Sequence, residues 1–276
     1  MMQKRFLHFL VFTNAWIGIA AGAQAYISAQ LVHSGPPLFY FFLVLSGTMF
    51  LYNFQRLIKN AEIGNDEKSI RHQWIEAHKS LLIFISIAAF CSTWILVFYF
   101  LNQKQIAWLF LAGSIGIFYT GIPKTPFKGL RVLPYTKAFL VALSWSIICV
   151  TIPVFNTNTT MNEYPLFIRF FILIFSLAII FDIRDLLFDD PKMKTIPQLL
   201  GKRNSYLLSL SLLGVNIFLA VLYENFALLI SESITFLFAV IIFLRLQKEE
   251  KEILFGFFTD GIILLNAILI AVFSII

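Results

Sequence analysis

Phe181-Asp182-Ile183-Arg184-Asp185-Leu186-Leu187-Phe188-Asp189-Asp190 decides how the chain is read. The stretch holds four of the six aspartates in the sequence and follows directly on an apolar run over 166–180. Carboxylates at the end of a membrane-length apolar helix are costly unless a cation joins them. Asp182, Asp185 and Asp189 are spaced i, i+3 and i+7, which on a continuing helix places them on one face. Asp190 lies further round, and Pro191 then ends or redirects the chain. Two carboxylates about 6 Å apart repel by roughly 0.7 kcal/mol in water and roughly 3 kcal/mol at an effective dielectric of 20. At a helix C-terminus they also oppose the macrodipole. Arg184, Lys192 and Lys194 supply part of the missing positive charge. A hard divalent cation such as Mg²⁺ fits the rest, held by one or two carboxylates with phosphate and water completing its shell. Placed so, it would neutralise a diphosphate leaving group. The plainer reading is a solvated helix end with local ion pairs.

Working outward, the 276 residues are 59% hydrophobic and only 13% charged, with a mean hydropathy of +0.83. A soluble domain carries about 25% charge. Repeated apolar runs of about 20 residues make this an all-α integral membrane protein and exclude a barrel. About nine such segments can be marked, near 7–30, 37–58, 80–101, 106–122, 137–155, 165–182, 206–222, 226–244 and 255–275. The first resembles a signal peptide in its Lys4-Arg5 start, but its apolar run extends to Leu31, and an uncleaved helix is expected.

The formal charge of +6 would suggest nucleic acid in a soluble chain; here it reads as topology. With the N-terminus inside, every Lys and Arg except Lys104 and Arg169 falls on one side. This places the N-terminus in the cytoplasm, the C-terminus outside and the long loops inside, across a cell inner (plasma) membrane, with no nucleic-acid partner. Residues 1–276 read as a single transmembrane domain around a central cavity. Cys91 and Cys149 lie inside apolar runs, as packing residues would.

The run Asp182-Ile-Arg-Asp185-Leu-Leu-Phe-Asp189, followed by Thr195-Ile-Pro197-Gln-Leu-Leu-Gly201, closely resembles the second aspartate-rich motif of the UbiA family of intramembrane prenyltransferases. That motif reads D-x-x-D-x-x-x-D with a T-[IL]-P-x-x-[LK]-G segment after it. The resemblance implies helices around a central cavity, a prenyl diphosphate bound there through Mg²⁺, and transfer of the prenyl group to an acceptor. It assigns Asp182, Asp185 and Asp189 to metal binding and catalysis, and Thr195, Pro197 and Gly201 to a cap over the cavity. The segment from Tyr119 through Lys124 to Lys128 looks like a loose version of the family's Tyr…Lys segment, with Tyr119 lining the cavity and a lysine serving the diphosphate. A tyrosine ring near a forming allylic cation would help through cation–π attraction.

The family's first motif, N-D-x-x-D-x-x-x-D, is altered. Asn53 is present, but Phe54, Leu57 and Ala61 stand at the acidic positions. Glu62, Asp66 and Glu67 follow in the loop. Asn53, Arg56 and Asn60 form a polar stripe on an otherwise apolar helix, from which Arg56 could meet a diphosphate with a bidentate fork or pair with the aspartates. Substrate contacts are thus expected from Asn53, Arg56, Lys124, Lys128, Arg184 and Lys194. Asp260 sits near the cytoplasmic end of the last span, placed to snorkel or to pair with Arg245. Three functions follow: a prenyltransferase with an unidentified aromatic, tetrapyrrole or lipid acceptor; a non-catalytic polyprenyl- or lipid-binding relative; and a transporter, disfavoured because the acids gather at one membrane face.

Overall fold

In lipid, backbone amides and carbonyls have no water to bond, so apolar runs must satisfy them internally as helices. The computed structural model describes residues 2–60, 70–121, 125, 127–155, 163–186, 189–247 and 252–274, and among these there are helices and turns but no strand. In chain order the helices are α1 (Met2–Phe12), α2 (Ala15–Leu31), α3 (Pro37–Asn60), α4 (Ile70–Ala77), α5 (Lys79–Phe100), α6 (Gln103–Tyr119) and α7 (Lys137–Ser146). A π turn (Ile147–Thr151) joins α7 to α8 (Ile152–Val154), and α9 (Glu163–Asp185), α10 (Ile196–Leu222), α11 (Phe226–Leu246) and α12 (Glu252–Phe273) complete the chain.

Among the described residues, seven helical segments are each long and apolar enough to cross a membrane, and the bent pair α1–α2 makes an eighth. The sequence marks about nine; α6, with 17 residues, sits at the short end of what spans a bilayer. The outward faces carry large apolar side chains such as Phe84, Phe98, Phe218 and Leu237, the surface a lipid environment requires. The chain is an integral, multi-pass membrane protein.

The helices close into a ring. α2 packs between α3 and α12, and the circuit continues through α11, α10, α9, α7 and α6 back to α3. Gly22 permits the α2–α3 crossing, since a Cβ there would stand 2.7 Å from the Phe41 carbonyl oxygen. The π turn has a cause in the sequence: Pro153 has no amide to donate to the carbonyl four residues back, and the turn just before it takes up the misfit.

Two breaks are stabilised by neighbouring helices. α1 and α2 meet at 61°, with Asn14 at φ 60° between them. The break frees carbonyls that α3 then covers: Asn53 Nδ2 donates to Thr13 O at 3.1 Å, and Arg56 Nη1 donates to Val11 O and Phe12 O at 3.2 and 3.1 Å. Asn14 Nδ2 in turn donates to Asn53 Oδ1 at 2.7 Å. The polar stripe on α3 is therefore, at Asn53 and Arg56, the cap of a broken helix. In α10, Gly201 (φ 76°) separates a first turn from the long remainder.

A second polar knot ties α2, α9, α10, α11 and α12 together. Arg169 Nη1 reaches Glu232 Oε1 at 2.5 Å and Asn266 Oδ1 at 3.2 Å. Asn266 Nδ2 donates to Glu232 Oε1, Gln24 Nε2 to Asn266 Oδ1, and Asn216 Nδ2 to Arg169 O, all between 3.0 and 3.2 Å. Arg169, which the charge pattern leaves as an exception outside, is thus a buried cation with its own carboxylate. Arg169→Met strands Glu232 among apolar helices and is expected to cost about 3–5 kcal/mol. The double replacement Arg169→Met/Glu232→Met should recover most of that loss, both read from thermal unfolding in detergent.

Candidate functional site

At the end of the ring where α3, α6 and α9 finish and α7 and α12 begin, a cavity of about 290 Å³ opens. That is near the lower end of the range for small-molecule sites, about 300–1,000 Å³. Its rim is charged: Arg56 and Lys59 from α3, Arg71 from α4, Arg131, Lys137 from α7, and Asp182, Arg184 and Asp185 from α9. Its interior is apolar and aromatic, and continues into a smaller recess bounded by Ile17, Tyr52, Trp145, Leu177, Phe181 and Ile263.

The aspartates meet at one atom. Lys137 Nζ lies 2.9 Å from Asp182 Oδ1 and 3.4 Å from Asp185 Oδ2, and is closer still to Asp189 Oδ2. Arg131 Nη2 adds a bond to Asp189 Oδ1 at 3.0 Å, and Arg184 Nε one to Asp185 Oδ1 at 2.7 Å. Lys137, Asp182 and Asp189 are buried. The described part of α9 ends at Asp185, and the Asp189 amide bonds back to Asp185 O at 2.9 Å, the i to i−4 bond that keeps Asp189 one turn further on. Ion pairs to Lys137 and Arg131 then hold Asp189 beside the other two.

The T-I-P-x-x-L-G segment holds that loop in place. Gln198 Oε1 accepts from Thr195 N at 2.9 Å, and its Nε2 donates to Asp189 O and Asp190 O at 3.3 and 3.2 Å. Tyr135 N donates to Met193 O at 3.1 Å, which joins the Arg131-bearing loop to the same turn.

The other expected residues divide. Tyr119 ends α6 and lines the cavity; Arg56 and Arg184 line its rim, with Arg184 stacked 4.9 Å over Phe181. Asn53 is fully buried in the helix break and is not part of the cavity wall. Lys128 is exposed, and Lys194 is exposed with its ammonium 5.8 Å from the Tyr135 ring; neither lines the cavity. Lys124, together with Ala61, Glu62, Asp66 and Glu67, lies outside the described residues.

Four contributors were not singled out from sequence. Arg131, Lys137 and Lys59 read there only as topology signals at loop edges, and Arg71 as the start of a lid or headgroup-contact segment over 71–78. Asp260 is a correction. It is buried in the cavity wall, borders both the main chamber and the recess, and its Oδ1 has no hydrogen-bond partner. It neither snorkels nor pairs with Arg245, whose guanidinium lies 5.8 Å over Phe258.

The donor set differs from what Mg²⁺ requires. Among the described residues no group of three His, Cys, Asp or Glu side chains is arranged to hold a metal ion. The three carboxylates do converge, but on an ammonium, and Mg²⁺ needs oxygen ligands at about 2.0–2.1 Å around that same point. As arranged, these residues do not fit the ion.

Neither a family model nor a curated protein matches the sequence. Solved structures share its fold. A UbiA homolog from Archaeoglobus fulgidus bound to GPP and Mg²⁺ superposes with a TM-score of 0.61 at 13% identity, over 96% of this chain and 99% of that one. A digeranylgeranylglyceryl phosphate synthase structure superposes with a TM-score of 0.58, also at 13% identity, over 98% and 99%. The chain therefore has the fold of the UbiA homolog from end to end.

Arg56 is placed to serve the break and the cavity together. Arg56→Ala uncovers the Val11 and Phe12 carbonyls, and the expected loss is about 1–3 kcal/mol of stability, measured as a lowered unfolding midpoint in detergent.

Proposed function

We propose that this chain is a UbiA-type intramembrane prenyltransferase, with residues 1–276 acting as one domain that moves a prenyl group from an isoprenoid diphosphate to an acceptor inside the membrane. One observation carries the reading: a cavity that is apolar and aromatic within and ringed by cations at its opening, in a fold shared with a GPP-bound homolog. An isoprenoid diphosphate has that same division, a long hydrocarbon chain and a compact polyanion.

In this reading Arg56, Lys59, Arg71 and Arg184 face the diphosphate, where guanidinium forks match phosphate oxygens. The chain extends inward past Tyr119, Tyr52 and Trp145. The C1–O bond breaks with its electron pair leaving on the diphosphate, and the basic rim stabilises the charge that develops there. The allylic carbon then faces aromatic rings and accepts an electron pair from the nucleophilic atom of the acceptor. That atom's proton must go to a base, and Asp260, buried at the junction of chamber and recess with a free carboxylate oxygen, is the group in position. Asp182, Asp185 and Asp189 fix Lys137, Arg131 and Arg184 at the rim. Counting α6 as a further span gives nine crossings, and the basic residues gathered on one side support a cytoplasmic opening, in keeping with a cell inner membrane.

The altered first motif favours one second reading, a protein that binds a polyprenyl diphosphate without transferring it. Purified protein in detergent, given prenyl diphosphates of graded length and a membrane lipid extract, separates the two. Diphosphate release with a prenylated product is the expected result; binding without release supports the second reading, and coupled ion flux in liposomes overturns both in favour of a transporter. Asp260→Asn should keep prenyl diphosphate affinity while transfer falls by about 10²–10⁴-fold. Tyr119→Phe should retain most of the rate, whereas Tyr119→Ala should lose about tenfold or more, the worth of a desolvated ring–cation contact.

A further inference from the structure

The carboxylates of this site converge on Lys137 instead of leaving an open pocket between them. An ammonium has three N–H donors and no acceptor. Here the three meet oxygens from three different aspartates: Asp182 Oδ1 at 2.9 Å, Asp185 Oδ2 at 3.4 Å and, nearest, Asp189 Oδ2. The ammonium is thus held on several sides by carboxylate and is 8% exposed as a side chain. With Arg131 on Asp189 and Arg184 on Asp185, three cations stand against three carboxylates. The cluster is neutral without any further ion.

The backbone supports the same assignment. Lys137 is the first residue of α7, where a cation opposes the helix dipole, and Asp182 and Asp185 are in the last turn of α9, where carboxylates do. Each placement is unfavourable alone and favourable beside the other. Across the cavity α3 offers Phe54 and Leu57 at the positions where the resemblance implies aspartates, and Arg56 and Lys59 line the opening from that helix. A divalent ion would find no carboxylate on α3 and would have to displace an ammonium already at the point of convergence.

We infer that Lys137 is a built-in counter-cation standing where a divalent metal would sit, so that this cavity binds a prenyl diphosphate through its own basic residues without a divalent ion. The ligand class rests on the prenyltransferase reading; the role of Lys137 rests on the ion-pair geometry.

Two measurements on the purified full chain decide it. Binding of geranyl diphosphate by calorimetry should differ less than about twofold between EDTA and millimolar Mg²⁺, whereas a fall of about tenfold or more in EDTA overturns the inference. Mn²⁺ titration followed by electron paramagnetic resonance needs no substrate. Wild type should hold no Mn²⁺ at the aspartates, and Lys137→Ala should acquire one Mn²⁺ per chain that is lost again on adding Asp182→Asn. Mn²⁺ bound by wild type and lost in Asp182→Asn alone overturns the role of Lys137. Should Lys137→Ala not fold, Lys137→Gln, which keeps most of the volume and removes the charge, replaces it, and the wild-type titration decides by itself. No geranyl diphosphate binding in either buffer overturns the prenyl diphosphate reading, and the Mn²⁺ result then still decides what Lys137 does.

Discussion

The ion cluster around Lys137 is the contact on which the rest of the site depends. Three aspartates at the end of an apolar helix cannot stay charged in a low-dielectric setting without cations at contact distance. Lys137 and Arg131 reach them from outside the aspartate-bearing segment, and Arg184 from within it. Because those cations belong to α7 and the loop before it, charge neutralisation also docks α7 against α9. The turn at Gln198 and the backbone bond from Tyr135 to Met193 then hold both loops over the same corner. Local charge and global packing are one arrangement here.

The same rule recurs away from the cavity. Arg169 and Glu232 neutralise each other among α9, α11 and α12, with Asn266, Gln24 and Asn216 adding bonds from the neighbouring helices. Interhelical polar contacts of this kind bring specificity to helices whose apolar surfaces gain little from packing on each other rather than on lipid. The broken first helix follows it too: carbonyls released at Asn14 are covered by Asn53 and Arg56. In both places side chains bond across helices distant in sequence, and together they set the ring around its cavity.

Chemically, the cavity separates two tasks. The rim concentrates positive charge where a polyanion would sit, and the interior presents rings and aliphatic groups to a hydrocarbon chain. Asp260 is the exception inside, a buried carboxylate with an unused oxygen among apolar neighbours. A group left so is costly to bury, and its place between chamber and recess is where a reacting acceptor would lie.

Hydropathy along the chain already shows that it lives in a membrane, where most of its helices run, and that four aspartates gather at the end of one of them. These are legible because hydropathy and spacing are local properties. The sequence likewise marked Tyr119, Arg56 and Arg184, whose segments end at the cavity. It did not reveal that the cation for the aspartates is Lys137, which precedes Asp182 by 45 residues and Asp189 by 52, because a lysine at a loop edge looks the same whether it sets topology or fills an ion site. It read Asn53 and Arg56 as a substrate stripe, when a break in another helix claims Asn53 entirely and Arg56 in part. It placed Asp260 at the membrane surface, and only the packing of α12 against α2, α9 and α11 turned it inward. What tertiary structure decided in each case was the partner, since a buried charge is defined by the group that meets it, and those groups come together only when the ring of helices closes.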